Sequence, residues 1–369
     1  MKIFLVMRGT GLDGGGGAER RFGRLFTFFS VNRKPDLDVY LVTNRVLAQR
    51  LIMCGIVDSD AERLIYPEEE MGILAFNRWL IHMVRYHRPD VVHLVLIQRS
   101  LLPFYLWLLT NRSVVVVSTL ASASIALDGR CSLMQAVTAH IVWAKSRIID
   151  SLYPGTEKSI RLTPWKDRVR ISPCSFSDYS QYKPSPAKTN TIVFAGRLSE
   201  VKNPMLLLRA IANINQSEPD LLARWRVAIY GKGELERDVI SFIDKYGLRG
   251  SITVASVNSM TSVLSESRVF VSLQHVDNYP SQSLLEAMAC ENVVIATDVG
   301  NTRLLVNENT GILIHPSTYS LSEALSRVMH DWDAYAPCAT RARLYVIENH
   351  SVDRFASYLL KVWIEGVST

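Results

Sequence analysis

The 369-residue chain has no cysteine pair at metal-ligand spacing. Its five cysteines, Cys54, Cys131, Cys174, Cys290 and Cys338, are odd in number and far apart. That speaks against a zinc module or a disulfide scaffold and fits free thiols in a reducing compartment. A long apolar run is also missing. A spanning helix needs about 20 apolar residues, and the nearest stretch, 100–127, is interrupted by Pro103 and Arg112. The opening MKIFLVMRGT has too short an apolar run for a secretory signal and no small-residue cleavage site, so it reads as a first strand. These absences predict a cytoplasmic protein without a spanning helix.

What is present is a large apolar fraction, 48%, enough to build sizeable cores over a length that suits two domains. The net charge of +6 is unevenly placed. Residues 1–185 hold 24 Lys+Arg against 16 Asp+Glu, a balance of +8, and the remainder holds 17 against 19, a balance of −2. A basic first half suits an acidic partner, unless the charges are simply scattered and solvated.

Along the first half, short apolar runs at 2–7, 38–43, 91–96, 114–118 and 138–144 read as strands. Gly9, Gly11 and Gly14 match a dinucleotide fingerprint, but the second run ends in Asn44-Arg45 rather than in a ribose-binding acid. What remains is a glycine loop over 14–17 that leads into a helix and lets backbone approach a ligand. That helix sets Arg20, Arg21 and Arg24 beside Phe22, Leu25 and Phe26, and 72–88 sets Arg78, Arg85 and Arg88 beside Trp79. Either can be a core helix with a solvated face, or a face for a membrane surface. His93 reads as a packed strand residue. Asp36/Asp38 and Asp58/Asp60 have the spacing of a metal-holding acid pair, but they sit where surface turns are expected.

Residues 173–189, rich in Pro and Ser, read as a linker. A second alternation follows: strand 190–195, helix from Pro204, strand 225–230, helix from Glu234, strand 251–255, a helix near 260–266 and strand 268–273. There is no close sequence repeat, only a repeated architecture. Strands alternating with helices predict two doubly wound α/β domains, with ligands at the strand C-terminal ends. The expected boundaries are 1–185, 186–350, and a terminal amphipathic helix in 351–369.

The stretch 277–302, DNYPSQSLLEAMACENVVIATDVGNT, reads as loop, helix, buried strand and glycine turn. Ser281, Gln282 and Ser283 can cap the helix, and Glu286 lies one turn further in. A helix start of this kind holds an anion, and an ordinary βα unit looks the same. Upstream, strand 190–195 ends at Gly196-Arg197, and Lys202 follows in RLSEVKNP. Two cations over the C-terminal edge of a sheet suit a diphosphate.

In this order, GGGGAER, FAGRLSEVKNP, IYGKGELER and DNYPSQSLLEAMACENVVIATDVGNT resemble the family 4 glycosyltransferases of the GT-B architecture, two Rossmann-like domains facing a cleft. PDVVHL (89–94) and AHIVWAKS (139–146) are weaker echoes. The resemblance implies that Arg197 and Lys202 bind the donor's diphosphate, with Gly196 at the strand end. It implies that Glu286 holds the ribose hydroxyls and that Ser283, Leu284 and Leu285 turn backbone N–H groups to the phosphates. Gly15 and Gly16 match a loop that closes on the donor. The first acid of the family's pair falls on Asn278. Asp277, one position earlier, is read as its substitute, directed at the donor sugar. Asn301 stands where a second glycine is frequent, and Ser256 where a glycine often follows strand 251–255.

By the same resemblance the reaction is a retaining, metal-independent transfer from a nucleotide-sugar to a glycan or lipid-linked acceptor bound by the first domain. Cofactor and nucleic acid are not expected. Surface polysaccharide or glycolipid assembly at the inner face of the plasma membrane is the setting it suggests. A nucleotide-sugar epimerase and a non-catalytic nucleotide-binding subunit remain open beside it.

Overall fold

The computed structural model describes all residues except 10–16, 121–131, 153, 155–159, 161–162, 174–175, 258, 278, 280 and 369. Gly14, Gly15, Gly16 and Asn278 therefore lie outside the described residues. The chain divides into two compact units, Met1–Phe176 with Val352–Thr369, and Ser177–Ser351.

The first unit alternates strands and helices: β1 (Lys2–Val6), α1 (Gly17–Val31), β2 (Asp38–Val42), α2 (Arg45–Met53), β3 (Leu64–Ile65), α3 (Ile73–His87), β4 (Val91–Leu94), α4 (Leu102–Thr110), β5 (Val115–Leu120), α5 (Leu133–Lys145), β6 (Ile148–Ser151) and β7 (Val169–Ile171). Its parallel sheet runs β3-β2-β1-β4-β5-β6-β7. Strand residues alternate between the two faces. Ile3 and Leu5 enter the core under α1, α2 and the terminal helix, whereas Phe4 and Val6 enter the core under α3, α4 and α5. Gly9 is needed for packing, because a Cβ there would stand 2.6 Å from Cβ of Leu47 on α2.

The second unit repeats the scheme: β8 (Thr189–Ala195), α6 (Pro204–Ser217), α7 (Pro219–Ala223), β9 (Arg226–Tyr230), α8 (Glu236–Lys245), β10 (Ile252–Ala255), α9 (Thr261–Glu266), β11 (Ser267–Ser272), α10 (Gln282–Ala289), β12 (Val293–Thr297), β13 (Ile312–Ile314), α11 (Thr318–His330) and α12 (Trp332–Asn349). Its sheet, also parallel, runs β10-β9-β8-β11-β12-β13. In both sheets the order reverses beside the first strand, at β1/β4 and at β8/β11. Such a switch point opens a crevice at the strand C-terminal ends.

Three expectations need correction. Residues 138–144 form part of helix α5, not a strand. Ser132 and Gln135 close a capping box at its start, and Thr138, Ala139, Val142 and Trp143 bury one helical face; the strand is β6. The boundary between units falls at 176/177 rather than 185/186. Tyr179 and Tyr182 of the expected linker pack on the second unit's core, and Ser185 N–H donates to the Ser265 carbonyl, 3.0 Å. Helix α1 offers no membrane face, since only Val31 on it is exposed and Phe22, Leu25, Phe26 and Phe29 are core.

The terminal helix, α13 (Val352–Ser368), belongs to the first unit. Its Phe355, Leu359 and Trp363 fill the core beneath α1. A buried polar chain adds direction to that apolar contact. Trp363 Nε1 donates to His93 Nδ1, 3.1 Å, so the imidazole proton sits on Nε2 and faces Thr119 Oγ1, 2.7 Å away. Thr119 donates to Asp150 Oδ2, 2.9 Å, and Tyr358 donates to Asp150 Oδ1, 2.8 Å. Burial pushes His93 down to about 3 and raises Asp150. His93 is thus a neutral, packed strand residue.

Candidate functional site

Four loops meet at the C-terminal edge of the second sheet. The loop after β8 begins at Gly196, whose N–H donates to the Tyr230 carbonyl at the end of β9, 3.0 Å. Leu198 N–H donates to the Lys232 carbonyl, 2.9 Å, and Leu235 N–H returns a bond to the Leu198 carbonyl, 3.0 Å. This approach explains both glycines of IYGKGELER. A Cβ on Gly231 would stand 1.8 Å from the Gly196 oxygen, and one on Gly233 would stand 2.2 Å from the Leu198 oxygen. Across the switch point, His275 N–H after β11 donates to the Val201 carbonyl, 3.3 Å. The loop after β12 joins through Gly300, at φ 53°, where a Cβ would fall 2.3 Å from the Asp277 side chain.

On this rim the two expected cations are neighbours. Lys202 lays its Cγ and Cδ over Gly196, 3.8 Å from where a Cβ would stand. Its ammonium is pulled down to about 8, first by burial and then by the Arg197 guanidinium. Arg197 itself is exposed. The chain can stack these charges because Asn203 takes the left-handed conformation at φ 52° and Pro204 opens α6 directly behind it.

Helix α10 supplies the acid. Leu284, Leu285, Ala287, Met288 and Ala289 belong to the core, packed with Ala342 and Val346 of α12. Within that apolar face Glu286 is only 1% exposed, and its Oε1 accepts from Gln282 Nε2, 3.2 Å. A carboxylate kept inside an otherwise apolar helix needs a polar partner. The capping differs from expectation: Ser281 takes the N-cap position without a side-chain bond. Leu285 N–H already donates to the Ser281 carbonyl, 3.1 Å. Of the three amides the resemblance implied, those of Ser283 and Leu284 precede the first intrahelical bond, and that of Leu285 does not.

Asp277 is held at both carboxylate oxygens. Oδ1 accepts from Tyr279 N–H, 2.9 Å, and Oδ2 from Asn301 Nδ2, 2.6 Å. The two departures from the family pattern, Asp277 and Asn301, therefore touch. Sequence reasoning missed this pairing, because 24 residues separate the partners. It also missed Lys188, which donates to the carbonyls of Ser267 and Cys290, both 2.8 Å, at the ends of α9 and α10. Burial lowers Lys188 to about 8 and raises the neighbouring Cys290 thiol to about 12, so that thiol stays protonated and inert. Among the described residues no group of three or more His, Cys, Asp or Glu is placed to hold a metal ion.

The fold is that of the GT-B glycosyltransferases: Anabaena HepE, in a crystal structure with UDP and glucose, superposes with a TM-score of 0.77 at 16% identity, covering 98% of this chain and 99% of that one. Residues 175–345 match the model of the glycosyl transferases group 1. The segment runs from the start of the second unit to α12 and contains the whole rim. One similar protein is the GalNAc-alpha-(1->4)-GalNAc-alpha-(1->3)-diNAcBac-PP-undecaprenol alpha-1,4-N-acetyl-D-galactosaminyltransferase of Campylobacter jejuni, 25% identical over 167 residues, 44% of this chain and 45% of that protein. Another is the D-inositol 3-phosphate glycosyltransferase of Saccharomonospora viridis, 26% identical over 237 residues, 59% of this chain and 52% of that protein. The chain spans about half the length of these curated relatives.

Proposed function

We propose that this chain is a glycosyltransferase that moves a sugar from a nucleotide-sugar donor to a glycan or lipid-linked acceptor. The observation that carries the reading is the rim at β8/β11, where Lys202, beside Arg197, lies on the loop after β8, and that loop is hydrogen-bonded to the loop after β11 that leads into α10 and its buried Glu286. The Campylobacter relative, whose name records an undecaprenol-linked substrate, supports the lipid-linked acceptor, and the HepE complex with UDP supports the nucleotide.

In this reading the sugar leaves a nucleoside diphosphate, and negative charge grows on the departing phosphate. Arg197 and Lys202 neutralise it, aided by the Ser283 and Leu284 amides at the positive end of α10. Glu286 binds the ribose hydroxyls. Asp277, positioned by Asn301, contacts the donor sugar. No covalent nucleophile is assigned. Transfer with retention and without a metal is part of the proposal. The first unit takes the acceptor, and surface polysaccharide or glycolipid assembly is the setting.

The test is acceptor-dependent release of nucleoside diphosphate from UDP-, GDP- and ADP-sugars, with a bacterial lipid extract as the acceptor source. One donor should turn over. Lys202→Ala and Glu286→Ala should each slow release by about 10²-fold or more while melting as the parent does. Binding without release identifies a nucleotide-binding subunit, and isomerised donor without release identifies an epimerase. Either outcome overturns the proposal.

A further inference from the structure

We infer that the groove between α6 and α11, on the outside of the second unit, is a glycan-binding site separate from the rim and takes a neutral oligosaccharide. The two helices lie side by side and share one core, Leu207, Ile211 and Ile214 of α6 with Leu321, Leu325 and Val328 of α11. Serines keep their line of contact low. Ser322 Oγ donates to the Thr318 carbonyl, 2.8 Å, and reaches the Ala210 carbonyl at 3.4 Å. Ser326 Oγ donates to Glu218 Oε1, 2.6 Å. Side chains this small leave a trough of about 670 Å³ above them, with Ile214 as an apolar patch in its floor. That volume falls within the about 300–1,000 Å³ of small-molecule sites. At 1.5 Å of rise per residue, Asn213 and Ser217 lie about 14 and 20 Å along α6 from Pro204, where the helix leaves the rim.

The lining decides the ligand. Tyr319 stands in the groove 75% exposed, an aromatic ring that the core does not use. Asn213 and Gln216 on one bank, and Glu323 and Arg327 on the other, are exposed as well. Glu218 is the fixed element among them. His330 Nε2 stands 2.5 Å from its Oε2, across from the Ser326 bond to Oε1, and these two contacts hold the carboxyl below the usual range. Two carboxylates lie beside one guanidinium, so a polyanion is poorly matched. A pyranose is matched, because its C–H face lies on an aromatic ring and its hydroxyls both donate and accept, as amides, carboxylates and a guanidinium in one groove require. In Ser326–Glu218–His330 the carboxylate stands between hydroxyl and imidazole, so the imidazole is not placed to take the serine's proton, and the groove holds a glycan without cleaving it. The ligand class follows from the lining, whereas a supply of glycan to this protein rests on the transfer reading.

The experiment is saturation-transfer NMR of the full chain with maltohexaose, cellohexaose and chitohexaose, each with and without UDP, GDP and ADP. At least one oligosaccharide should bind, and no nucleotide should displace it. Tyr319→Ala removes the aromatic face and should weaken binding about tenfold, while Tyr319→Phe should keep it within about threefold of the parent. Gln216→Ala with Arg327→Ala should weaken it too. All three positions are exposed, so each variant should melt as the parent does. Nucleotide titration of Tyr319→Ala should match the parent, which separates this site from the rim. Absence of binding by all three sugars overturns the inference, and with nucleotide binding intact it removes the groove alone. Binding that Tyr319→Ala leaves unchanged overturns it, as does binding that a nucleotide displaces, which places the sugar on the rim.

Discussion

Lys202 concentrates the chemistry of the second unit in one side chain. An ordinary surface lysine stays charged through the physiological range, but burial and Arg197 bring this one to about 8. The sign follows. The ammonium attracts a diphosphate and the neutral amine does not, so donor affinity should hold steady below about pH 8. Above it, affinity should fall by up to about tenfold per pH unit. Lys202→Arg keeps a charge that cannot be lost in this range, so its affinity should remain level through pH 9.5. Titrating the nucleotide-sugar at several pH values checks this, and a parent protein with level affinity across pH 8 would contradict it. The sequence disclosed Lys202 and Glu286 because FAGRLSEVKNP and SQSLLEAMA follow one another in the order the family resemblance requires. It did not disclose the role of Asn301. A hydrogen bond to Asp277 depends on two loops meeting at a sheet edge, and nothing in either local stretch encodes the distance between them.

At the scale of elements, the second unit's strand-end loops behave as one part. Gly231 and Gly233 let the turn after β9 lie against the backbone after β8. Gly231→Ala forces its methyl into the Gly196 carbonyl. It should lower the stability of this unit by about 1–3 kcal/mol and weaken nucleotide binding with it, because Gly196 and Arg197 must move. Lys232→Ala, exposed between the two glycines, should leave stability within about 0.5 kcal/mol of the parent. Denaturant unfolding of both variants reads the difference, and equal stabilities would remove the steric account. Elements were legible where their periodicity was clean, as in α3, β8 and β12. Residues 138–144 were misread because the Thr, Ile, Val and Trp of TAHIVWA favour strands locally. The helix is set instead by its Ser132–Gln135 cap and by the face it buries beneath the first sheet. The linker was misread for a similar reason. Its prolines and serines look like a spacer, while its two tyrosines anchor it to the second unit's core.

Across the molecule, the same strand order is built twice from sequences with no close repeat, and the second copy carries Arg197, Lys202 and the buried Glu286 at its switch point. The doubly wound class was readable from strand–helix alternation. The site was readable only after its motifs were taken in order, since each glycine run alone is common. The exposure of Leu106 and Leu133 could not be read in advance, because it is settled by which face of each helix the sheet takes up. The central claim is that the rim at β8/β11 binds a nucleoside diphosphate through Lys202 and Glu286. Calorimetric titration of UDP, GDP and ADP into the parent protein, Lys202→Ala and Glu286→Ala tests it most directly. The account predicts that one nucleotide binds the parent in a single saturable step and that each variant, folded as the parent, loses at least about tenfold in affinity. Failure of all three nucleotides to bind the parent, or variants that bind as the parent does, would contradict it.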